Sequence, residues 1–145
     1  MTSLPIIDIA PLYSDNQNAW SEVATQIDHA CREWGFFYIK GHPISAARID
    51  AVLDSARHFF AQPATEKLKI DITQTRHHRG YGAIATEQLD PGKPSDLKET
   101  FDMGLHLPAD HPEVLAEKPL RGPNRHPSVP GWEALMEQHY LDMQA

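Results

Sequence analysis

The chain has 145 residues and a formal net charge of −7, a length that suits one domain able to bury about 70% of its unfolded surface. The acidic balance argues against a nucleic-acid binder, which needs a basic face to neutralise phosphates, and no Lys/Arg cluster offers a patch for an anionic membrane. No apolar run approaches the roughly 20 residues that cross a bilayer, MTSLPIIDIAPL carries no secretory pattern, and a single cysteine, Cys31, leaves no internal disulfide or cysteine-based zinc cluster. These features predict a soluble, cytoplasmic protein.

In chain order, Pro5-Ile6-Ile7-Asp8-Ile9 is short, β-branched and closed by Ala10-Pro11, which predicts an edge strand. From Asn18 to Trp34 the residues Val23, Ile27, Ala30, Cys31 and Trp34 recur at helical spacing, and Gly35 supplies a stop. Phe36-Phe37-Tyr38-Ile39 then predicts an aromatic strand in the core. Ser45 reads as an N-cap, and the helix behind it carries Ile49, Val52, Leu53, Ala56, Phe59 and Phe60 on one face before Pro63 ends it. A short helical segment is expected over 64–70, with Thr65-Glu66-Lys67 on a solvated face.

Residues 71–97 show little periodicity and read as a long excursion, a feature often tied to function in a compact domain. Gly80 and Gly82 flank Tyr81 and predict a bent strand or turn; without a following helix and lysine they do not make a phosphate cradle. Lys98-Glu99-Thr100-Phe101-Asp102-Met103 restores the alternation of a strand. Six prolines between 107 and 131 forbid any long regular element. Trp132, Leu135, Met136, His139, Tyr140 and Met143 form a last helical stripe running to Ala145 with no later element to receive it. Few strands and a bare stripe predict either the first part of a larger protein or a chain that pairs with another.

His111-Pro112-Glu113, with His126 and His139 downstream, has the composition of a facial iron triad. Its place in a proline-punctuated loop argues against that use, because such ligands must be held by facing strands or a rigid turn. The remaining histidines, including His77-His78, read as surface or loop residues, so no metal ligand and no catalytic residue is assigned. There is no Gly-x-Ser-x-Gly elbow and no His context that marks Cys31 as a nucleophile.

Several stretches, taken in order, resemble the N-terminal region of the isopenicillin N synthase-like Fe(II)/2-oxoglutarate oxygenases. They are Pro5–Ile9, Ala30–His42, Phe59-Phe60 with Pro63 and Glu66-Lys67, Arg79-Gly80-Tyr81, Lys98–Gly104 and Asn124–Trp132. The resemblance implies an α+β segment, helices packed on a few strands, whose strands extend the double-stranded β-helix (jelly roll) of a complete oxygenase. It implies a domain spanning residues 1–145, Fe(II) and 2-oxoglutarate as cofactors of the whole enzyme, and a small-molecule substrate. In the family iron is held by His-x-Asp and a later His, and 2-oxoglutarate by Arg-x-Ser. Neither motif occurs here, so the chain alone is expected to be inactive.

The resemblance also directs attention to the loop after the third helix, which can cover the active site, and therefore to Arg79, Tyr81 and Glu87 as substrate-binding candidates. Arg79 suits an anionic group or a structural ion pair. Tyr81 suits an aromatic wall or plain packing. Glu87 suits a cationic or amide-bearing group, or water. The alternative to an oxygenase fragment is a stand-alone, non-catalytic interaction module that self-associates through strand edges and its C-terminal helix.

Overall fold

Asn16 opens the first long helix by turning its side chain back onto the N–H groups of Asn18 and Ala19 at 3.1 and 3.4 Å, donors that no earlier carbonyl can reach. The helix runs Gln17–Glu33 (α1) and ends before Gly35, whose φ of +81° suits a residue without a Cβ. This computed structural model describes residues 3–88, 90 and 92–144. Its elements fall into two compact units, Met1–Ser45 and Ala46–Ala145.

In the first unit, strand β1 (Ile6–Asp8) pairs in parallel with β2 (Tyr38–Lys40), Ile7 facing Ile39. A parallel pair needs a long crossover, and α1 provides it. Ile7, Val23 and Ala30 are buried together, with Ile9, Ile27 and Phe37 packed against them. The expectation that Phe36–Ile39 is a core strand is corrected: Phe36 and Tyr38 are 63% and 61% exposed. A two-stranded sheet gives its strands few neighbours, and of that aromatic run only Phe37 packs against the cluster.

The second unit begins with α2 (Ala46–Phe60), directly after Ser45, and α3 (Ala64–Lys67) follows Pro63. Two short 3-10 turns, Leu68–Ile70 and Ile72–Gln74, lead to β3 (Gly80–Gly82), which pairs antiparallel with β4 (Thr100–Asp102), Tyr81 opposite Phe101. Gly80 is required where it stands: its φ is +120°, and a Cβ there would strike the Ile70 carbonyl oxygen. One helical turn, α4 (Pro112–Leu115), interrupts the proline-rich stretch, and α5 covers Trp132–Asp142. The described residues form an α+β arrangement with two two-stranded sheets and no closed barrel.

Phe59 joins these pieces. Its ring lies 5.1 Å from Trp132, 5.6 Å from Phe101 and 6.0 Å from Tyr81, centroid to centroid, mostly in the edge-to-face geometry that aromatic quadrupoles favour. Ile70, Val129 and Met136 complete the buried cluster. The bare stripe expected on the last helix is corrected here, since Trp132 is 1% exposed and Met136 is buried. The receiving element is α2, earlier in the chain. Leu141 and Met143 remain exposed, and the expected end at Ala145 lies outside the described residues.

Lys67 overturns another expectation. Placed on a solvated face by the sequence, it is buried, its Nζ donating to the Phe60 carbonyl at 3.0 Å and pairing with Glu99, while Tyr81 donates its hydroxyl to the same Glu99 oxygen at 2.9 Å. The ammonium also sits 5.3 Å from the Tyr81 ring centroid. An ammonium out of water needs such partners, and here they come from α2, β3 and the residue before β4. Burial alone would lower the Lys67 pKa, but the Glu99 hydrogen bond and the charges of Tyr81 and Glu99 outweigh it and raise it. Burial and the Glu99 contact raise the Tyr81 pKa. The Lys67 hydrogen bond holds the Glu99 carboxyl below the usual range, against a smaller opposing effect of burial.

Two outcomes follow from this packing. Phe59→Ala should cost about 3–5 kcal/mol in urea unfolding, whereas Leu53→Ala, on the exposed side of α2, should change stability by less than about 0.5 kcal/mol. Because the folded pKa of Glu99 lies below its unfolded value of about 4.3, its contribution is complete above that pH and is lost as pH falls through the folded value. Glu99→Gln should therefore be less stable than the parent by about 2 kcal/mol at neutral pH, less than for a fully enclosed pair because Glu99 is partly exposed. That deficit should shrink as unfolding is repeated toward about pH 3; an equal deficit at both pH values would contradict the assignment.

Candidate functional site

The three candidates from the sequence are placed by β3 and the loop behind it, and each has its own partners. Arg79 is buried beside β3. Its guanidinium donates to the carbonyls of His77 at 2.9 Å, His78 at 3.0 Å and Leu120 at 2.9 Å, and Gly104 makes room for it, since a Cβ there would collide with the guanidinium. Arg79 thus ties the bend at 77–78 to the loop at 120, through carbonyls rather than through an acid. Tyr81 is buried, its ring against Phe59 and its hydroxyl on Glu99. Glu87 lies in the loop between β3 and β4, 2.7 Å from Lys98 Nζ, and its side chain is 42% exposed. Its hydrogen bond and charge raise the Lys98 pKa.

His111 and Glu113, set aside as iron ligands by the sequence, have other tasks. His111 Nδ1 caps α4 by accepting from the Glu113 N–H at 3.2 Å. The Glu113 carboxylate pairs with Lys118 at 2.7 Å and Arg121 at 3.3 Å. The Lys118 hydrogen bond, ahead of the positive charges around it, holds the Glu113 carboxyl below its ordinary range. The His77 ring lies against Gly122, and burial together with the charge of Arg79 lowers its pKa.

A trio that sequence reasoning missed comes together elsewhere: His106, His126 and Glu137 present one ligand atom each, all within 4.8 Å of one another. His126 Nε2 is 2.9 Å and His106 Nδ1 3.5 Å from Glu137 Oε1. Buried Asn124 organises the group. Its side chain clamps the Gly104 backbone through both N–H and C=O, and its Nδ2 also donates to Glu137 Oε1 at 2.8 Å. Its backbone N–H points to His106 Nδ1 at 3.4 Å. His106 sits at the bridge to Gly122, His126 in the proline-rich stretch, and Glu137 on α5. An open groove of about 640 Å³ runs past His126 and Glu137, with Trp132 and Glu133 among its walls. No short motif links positions 106, 126 and 137, and the only signal in the sequence is the histidine count.

Comparison with known proteins agrees with this architecture. The family described as "non-haem dioxygenase in morphine synthesis N-terminal" matches residues 4–129. The 2-oxoglutarate-Fe(II) type oxidoreductase hxnY of Emericella nidulans is 35% identical over 128 residues, covering 88% of this chain and 37% of the relative. Homoarginine-6-hydroxylase 2-ODD-C23.1 of Arabidopsis thaliana is 38% identical over 145 residues, covering 94% of this chain and 43% of the relative. Among solved structures, a full-length Neurospora crassa protein in complex with alpha-KG superposes with a TM-score of 0.73 at 26% identity, over 97% of this chain and 43% of that one. The chain spans less than half the length of these relatives. Matched over most of its length, it belongs to the N-terminal domain family of the non-haem, 2-oxoglutarate-Fe(II) dioxygenases.

Proposed function

We propose that this chain is the substrate-side, N-terminal portion of a non-haem Fe(II), 2-oxoglutarate-dependent oxygenase that acts on a small molecule. The observation that carries the reading is the match of residues 4–129 to the N-terminal family, with a relative named as a 2-oxoglutarate-Fe(II) type oxidoreductase. Bound iron and 2-oxoglutarate supply the activation of O2 in such an enzyme. The iron does not fit His111 and Glu113, because the His111 Nδ1 lone pair caps a helix and the Glu113 carboxylate is held by two cations. With no His-x-Asp and no Arg-x-Ser in the sequence, both cofactors belong to a barrel beyond these residues, whose sheet β3 and β4 would extend.

What this chain contributes is positioning. The Lys67–Glu99–Tyr81 contacts hold the centre of β3, and the Arg79 bonds to three carbonyls hold the residue that leads into it. The loop between β3 and β4 then leaves a firm base, and it presents Glu87 with Lys98 as an exposed ion pair. In this reading Glu87 meets polar parts of the substrate, while Arg79 and Tyr81 hold the wall from behind. No described helix is long and apolar enough to cross a membrane.

The test is turnover. Protein that includes the following barrel should convert 2-oxoglutarate to succinate with Fe(II) and O2 and lose that activity on chelation, whereas residues 1–145 alone should form none. Succinate from the 145-residue chain, or none from the iron-loaded longer protein, would contradict the reading.

A further inference from the structure

We infer that His106, His126 and Glu137 form a binding site for a divalent transition-metal ion of the zinc class, one that clips α5 to the two loops in front of it. Two imidazoles and one carboxylate are a donor set that zinc and its neighbours favour, with a position left over for water. Ligand atoms at about 2.0–2.1 Å from such an ion lie roughly 3.3–3.5 Å apart. The trio is already close to that spacing, with His126 and His106 at 2.9 and 3.5 Å from Glu137 Oε1 and all three atoms within 4.8 Å.

The contact that now occupies His106 Nδ1 is a long one, 3.4 Å from the Asn124 backbone N–H, and an ion bound at that nitrogen would displace it. Asn124 supplies the support that metal carboxylates usually have, holding Glu137 Oε1 at 2.8 Å while both ends of its amide are locked on Gly104. Glu133 adds a second negative charge along the adjoining groove, which also gives an ion and its water a way in. The side chains of His126 and Glu137 are 11% and 25% exposed, so two of the three ligands are held by packing, and the more exposed His106 can close over the ion.

The experiment is a titration of the 145-residue chain with Zn2+ by calorimetry and with Co2+ by visible absorption. The expected result is one saturable site, with a Co2+ spectrum of low coordination number. Binding should weaken at least tenfold in His106→Ala, and likewise in His126→Asn and Glu137→Gln, while His111→Ala binds as the parent does. Far-UV circular dichroism establishes that each variant is folded, and His106→Ala, at the most exposed ligand, keeps the test decisive if a more buried variant unfolds. No saturable binding, or binding unchanged in folded His106→Ala, would overturn the inference.

Discussion

The second unit depends on a single ring. Phe59, near the end of α2, is where α5, β3 and β4 converge, and with it buried Trp132, Tyr81 and Phe101 acquire a common neighbour. Much of the rest of the unit is loop, rich in proline and short of backbone ladders, so regular secondary structure does not hold it together. It is instead tied down by side chains that satisfy backbone groups: Arg79 on three carbonyls, Asn124 on Gly104, Arg125 on the carbonyls of Lys69 and Asp71. Carbonyls left outside regular ladders need donors from somewhere, and in these loops arginine and asparagine side chains provide them.

This dependence on side chains decides which parts of the architecture can be read in advance. The helices α1 and α2 declare themselves through apolar periodicity and a stop at Gly35 or Pro63, all information held within a few residues. The Gly-Tyr-Gly strand is visible as a bend, and Thr100–Asp102 as a strand within the expected 98–103. Lys67 escapes such reading because a charged residue in a charge run looks solvated until its partners are known, and one of them, Glu99, lies far along the chain. Trp132 escapes it for a similar reason. Its helix lacks a later neighbour, but α2 precedes it, and order in sequence says nothing about order in space.

The candidate site divides along the same line. Arg79, Tyr81 and Glu87 can be nominated from the resemblance, yet their partners cannot: a carbonyl cage, a half-buried acid and an exposed lysine are facts of tertiary structure. The His106–His126–Glu137 group lies outside reach because its members sit in three different settings, a bridge, a proline-rich stretch and a helix. Their convergence comes from Asn124, whose clamp on Gly104 draws the loop after β4 toward α5. One buried asparagine therefore does for this corner what Phe59 does for the core.

If these residues are the opening part of a longer oxygenase rather than a protein complete in itself, the most direct measurement is the intact mass of the species that carries them in its native source, captured with an antibody to residues 1–145. A polypeptide about twice this length or more, in keeping with relatives of which the chain spans 37% to 43%, is the predicted result. A species ending near residue 145 would contradict it.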